Sequence, residues 1–128
     1  MTVRQIQWLL ASVFFVLGGW CLVSPASVMA LTIRPEYQTD HPTALLALGA
    51  FGAQAIIVGL FAAFSRFTRE TFLAYGIGLL PFFVFDYWFY VVVPVFTPLG
   101  MLDAVGNVVM LGLCWMGWQA AGREATSR

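Results

Sequence analysis

The chain contains no lysine, and its six arginines balance six acidic residues to give a net charge of zero. A nucleic-acid-binding surface needs a clear basic excess, so no nucleic-acid partner is expected. His41 is the only histidine. One histidine in a polar stretch supplies neither a zinc site nor an intramembrane haem ligand, so no metal and no cofactor are expected. The two cysteines, Cys21 and Cys114, form no CxxC motif. The topology derived below separates them in depth by roughly 16 Å, at 1.5 Å rise per residue. A disulfide needs Cα atoms within about 7 Å, so both read as small buried hydrophobes. The sequence has no P-loop, no glycine-rich dinucleotide fingerprint and no nucleophile elbow. Charged residues make up 9% of the chain, against about a quarter in a soluble domain.

In place of charge there are long apolar runs. Hydrophobic residues make up 61% of the 128 residues, and the mean hydropathy is +0.87. Four runs stand out, at residues 6–23, 44–64, 71–93 and 101–121. Each is long enough to cross a hydrocarbon core about 30 Å thick. Continuous apolarity without strict alternation selects helices over barrel strands. The expected fold is therefore an all-α integral membrane protein. It forms a single domain over residues 1–128, a four-transmembrane-helix antiparallel bundle with an outer loop at 24–43. Val28-Met29-Ala30 resembles a signal-peptide cleavage site, but the preceding apolar run is longer than a usual signal core, so retention is expected. Ser24-Pro25 suits the start of a short surface helix over 25–31.

Arginine sets the orientation. Arg4, Arg66, Arg69, Arg123 and Arg128 fall on one side of the four runs, and only Arg34 falls on the other. The excess predicts that both termini and the 65–70 loop are cytoplasmic. An arginine-only basic set with abundant alanine and glycine points to a GC-rich bacterium, and so to the bacterial inner membrane.

Asp86 is the most informative residue. It lies inside the 71–93 run, otherwise free of charge, where an aspartate costs roughly 2.5–3.5 kcal/mol at a helix centre. A partner, a proton, a water-filled cavity or a ligand should offset that cost. Asp103 and Asn107 stand one helical turn apart at the start of the fourth run. Asp103 also suits the positive end of that helix's dipole, which gives it a capping role as an alternative. Gln54 is near the middle of the second run. If these helices face inward together, Asp86, Asp103, Asn107 and Gln54 line one outward-facing pocket beneath the outer loop. Tyr90, four residues after Asp86, is placed to donate to its carboxylate, with Asn107 or a neighbouring backbone group as the alternative partner. Phe82 and Trp88 offer an aromatic wall for an apolar or cationic ligand. Arg34 and His41 in the outer loop are placed to close over the pocket and meet Asp103 or a ligand head group. Pro81 removes one helical hydrogen bond and predicts a kink beside the pocket.

Small residues Gly52, Ala55, Gly59 and Ala63 form a stripe on the second helix. Such stripes bring helix backbones together, within the bundle or in a homodimer. The favoured function is a membrane protein that binds a lipid-like or apolar small molecule, or a partner membrane protein, through the pocket. An integral membrane enzyme would use Asp86 as acid or base on an isoprenoid or lipid substrate, with Asp103 orienting it. A proton-coupled transporter would use Asp86 as proton carrier, but the inner halves of the runs offer no polar path.

Overall fold

The computed structural model describes residues 1–126; Arg128, used above for orientation, lies outside them. Five α-helices follow in order: α1 Val3–Val23, α2 Pro25–Thr32, α3 Pro42–Phe64, α4 Arg69–Tyr87 and α5 Leu102–Thr126. A π-helical turn, Trp88–Val92, extends α4, and 3₁₀ turns at Pro35–Tyr37 and Pro98–Met101 interrupt the loops. Among the described residues, β pairing is limited to one isolated antiparallel bridge, Ile33 with Phe96. Four helical stretches, α1, α3, α4 with its π turn, and α5 with its leading 3₁₀ turn, are long and apolar enough to cross a membrane.

Local chemistry explains the boundaries. Thr2 and Gln5 form a capping box at the start of α1, and Thr68 and Thr71 form one at the start of α4. Proline occupies the first turn of α2 and α3, where its missing N–H costs nothing. Ser24 stands at the N-cap of α2 without a side-chain cap; its carbonyl accepts instead from Ser27 and Val28. α4 continues through Pro81, and its irregularity comes later, in the π turn.

The helices pack in the order α3–α1–α5–α4: α1 contacts α3 and α5, and α5 contacts α4. α3 and α4 occupy the two ends of this row and make no extended contact. The first of the two readings of the small-residue stripe holds. Gly52 and Gly59 are buried against α1, where a Cβ on Gly52 would lie 2.6 Å from the Gly18 carbonyl oxygen.

The core is concentrated at the end that carries Arg4, Arg66, Arg69 and Arg123. Ile6, Leu10, Ala11, Ala62, Ala63, Phe67, Phe72, Leu79, Met110, Leu113, Cys114 and Ala120 form one buried cluster. At this end α1 closes off the last turn of α3. The Arg4 guanidinium donates to the Ala63 carbonyl, and Gln7 Nε2 donates to the carbonyls of Ala62 (3.0 Å) and Ser65 (2.8 Å). These are helix-end acceptors that α3 cannot satisfy itself. Val3 N–H donates to Glu124 Oε1 at 3.3 Å, so the start of α1 and the end of α5 share this end of the bundle. Cys21 and Cys114 are both buried free thiols. Outside the core many large apolar side chains are uncovered, among them Val16, Leu46, Phe61, Val84 and Val108. Apolar exposure on that scale would be a liability in water and suits lipid.

Candidate functional site: a roofed cavity with a paired acid

The opposite end of the bundle is hollow. A cavity of about 450 Å³ lies between Leu17, Trp20 and Cys21 of α1, Leu48 and Phe51 of α3, Phe82, Phe85, Asp86 and Phe89 of α4 and its π turn, and Leu102 and Asp103 of α5. Its roof is built from α2 and the 93–101 segment. Arg34 N–H donates to the Val95 carbonyl (2.8 Å), Thr97 N–H to the Thr32 carbonyl (2.9 Å), and Thr97 Oγ1 to the Leu31 carbonyl (2.6 Å). Gly100 sits where a Cβ would lie 2.8 Å from the Thr32 carbonyl oxygen, so only glycine lets the two roof segments close. The floor is the apolar core. The open side lies between α3 and α4, where the lining residues Phe51 and Phe85 remain 45% and 60% exposed.

Asp86 and Asp103 are the charged residues on this lining. Asn107, 2% exposed, holds them together: its Nδ2 donates to Asp86 Oδ2 at 3.1 Å and to Asp103 Oδ2 at 3.2 Å. A side-chain amide nitrogen has two donors and a carboxylate only accepts, so one asparagine serves both acids. The two carboxyl groups also lie within hydrogen-bonding reach of each other. Asp103 stands in the first turn of α5, but its side chain accepts from Asn107 and caps no helix amide. No member of the triad is left as an unpartnered buried polar atom.

Comparison with protein-family models, curated proteins and solved structures returned no match.

Of the residues singled out in the sequence, the structure brings together Asp86, Asp103, Asn107 and Phe82. Gln54 is not among them. It is exposed on the side of α3 turned away from α1, because the glycine face of that helix has taken the inward position. Tyr90 makes no hydrogen bond to Asp86, whose partner is Asn107. Tyr90 and Trp88 fall in the π turn. A π turn takes more residues than an α turn, so counting four residues on from Asp86 no longer reaches the same face. Trp88 is exposed and stands outside the lining. Arg34 does not approach Asp103; its Nε donates to the Phe96 carbonyl at 3.1 Å and fastens the roof. His41 is exposed at the N-cap of α3, where its Nδ1 accepts from Thr43 N–H at 3.3 Å.

The sequence reading missed Trp20, Phe51, Phe85 and Phe96 as wall residues. Phe82, Phe85, Asp86 and Phe89 do follow helical spacing, so the α4 part of the wall was available from periodicity. Trp20 is fixed by a hydrogen bond from Nε1 to Ser27 Oγ at 2.8 Å, a contact that depends on how α2 folds back.

Proposed function

We propose that the protein is a non-catalytic, multi-pass protein of the bacterial inner membrane that binds a lipid-like molecule in this cavity. The apolar part of the ligand lies among the aromatic walls, and its polar end, a hydroxyl or an ammonium group, donates to Asp86 and Asp103. One observation carries the reading: a cavity of ligand size with apolar walls ends in two carboxylates that share a single amide donor. No basic residue lines the cavity, which favours a donor over an anionic head group. The α3–α4 side supplies entry from the bilayer, since the roof covers the outer end. The arginine-rich end is assigned to the cytoplasm, with both termini inside.

A transporter is disfavoured by the apolar floor. An enzyme would use the same acid pair, and the two readings separate on whether the ligand is released unchanged. Mass spectrometry of the protein purified in mild detergent is expected to show a co-purifying amphiphile with a hydroxyl or amine head. Substituting both acids, Asp86→Asn with Asp103→Asn, should lower its retention by roughly tenfold or more, the worth of one hydrogen bond to a charged group. A wild-type protein that carries no amphiphile, or a double variant that retains it equally, would refute the reading.

A further inference from the structure

A second site lies at the other end of the molecule. α4 begins with Arg69, and the last turn of α5 carries Arg123. Arg69, Trp118, Gln119, Gly122, Arg123 and Thr126 line a depression of about 640 Å³. The Arg69 guanidinium lies 3.7 Å above the Trp118 ring, which fixes its place without neutralising it. Arg69 also interacts electrostatically with the neighbouring Glu70, which lies outside the depression's lining. Arg4 and Arg66 share this end, and Glu70 and Glu124 are the acids there. The field over the depression is therefore positive.

Trp118 also closes one end of an apolar groove of about 460 Å³ between α4 and α5. Along α4 the groove follows Phe72, Gly76 and Leu80. From Arg69 to Leu80 the helix rises roughly 16 Å, about half the thickness of a hydrocarbon core. A basic head pocket joined to an apolar groove one leaflet long has the shape and polarity of a single phospholipid.

We infer that this surface binds an anionic phospholipid of the adjoining leaflet. The phosphate is held by Arg69 and Arg123 with Gln119 beside them, and an acyl chain lies in the α4–α5 groove over Gly76. Joined to that groove, the head pocket fits a bilayer lipid better than a soluble phosphate. The site shares no lining residue with the acid-paired cavity, so either assignment can fail alone.

The test is native mass spectrometry of the full chain released from vesicles of phosphatidylglycerol and phosphatidylcholine in equal amounts. Wild-type protein should retain phosphatidylglycerol roughly tenfold or more over phosphatidylcholine, given about fivefold per arginine. Arg69→Gln with Arg123→Gln should reduce the preference to about twofold or less. Gly76→Leu should lower retention of both lipids by filling the groove. The first carbon of the new side chain is accommodated: a Cβ at Gly76 meets Cys114 Cβ and Leu111 Cδ1 at 3.7 Å, ordinary contact. Asp86→Asn with Asp103→Asn should leave the preference unchanged. Equal retention of the two lipids by wild-type protein would overturn the inference. So would a preference that survives the arginine variant, undiminished lipid retention in the glycine variant, or displacement of the lipid by millimolar inorganic phosphate.

Discussion

Replacing Asn107 with leucine is expected to destabilise the protein by about 3 kcal/mol, in the range measured when one partner of a buried charged hydrogen bond is removed. Leucine keeps asparagine's branching but is larger, so overpacking at this buried position adds a minor part of the cost. The rest comes from Asp86 and Asp103, which would face the same apolar cavity with no donor between them. Adding Asp103→Asn to that variant should recover more than half of the loss. It removes one acid of the pair and supplies a new amide to Asp86. The comparison is read from equilibrium unfolding in detergent titrated with SDS, on ligand-free protein. A loss under about 1 kcal/mol, or additive effects in the double variant, would show that the three side chains are not coupled.

The coupling rests on features that were legible in the sequence. Asp103 and Asn107 are one turn apart, and the same stripe continues through Met110, Cys114 and Gly117, all buried. Asp86 stands seven residues beyond Leu79 and fourteen beyond Phe72, both buried, so heptad spacing points it inward. Polarity and period together therefore located the acid pair. They failed on α3 because its residues are apolar all round. With no polar face to set the phase, side-chain size set it: the glycine side met α1, and Gln54 was left outside. The roof was not legible, because it joins residues 31–34 to residues 95–97, about sixty positions apart, through bonds that all end on backbone carbonyls and so leave no pairing pattern in the side chains. Arg34 and His41 were read as ligand contacts because their charge and titration suggest chemistry. Arg34 instead fastens the roof through the Phe96 carbonyl, and His41 caps the start of α3.

Gly52→Ala should be the most damaging single-methyl change in the chain, at about 3 kcal/mol, the upper end of ordinary overpacking. The added Cβ would meet the Leu22 amide nitrogen, the Gly18 carbonyl oxygen at 2.6 Å and the Cys21 carbonyl carbon at 2.9 Å. All three are backbone atoms of α1, so no side-chain rotation relieves the clash and the helices must part. Gly19→Ala, one residue along α1 from the Gly18 contact, provides the control. Nothing lies within 4 Å of its Cβ position, so the substitution should be neutral or stabilise by about 0.5 kcal/mol through reduced backbone freedom. Unfolding midpoints of the two variants in one detergent system measure the difference; equal midpoints would rule out the α1–α3 contact as described. The effect should also reach the ligand. Leu17, Trp20 and Cys21 on α1 and Leu48 and Phe51 on α3 line the cavity around the Gly18–Gly52 crossing. Separating the helices at that crossing widens the gap between these walls. Gly52→Ala should therefore weaken retention of the amphiphile even at temperatures where the variant remains folded, whereas Gly19→Ala should not.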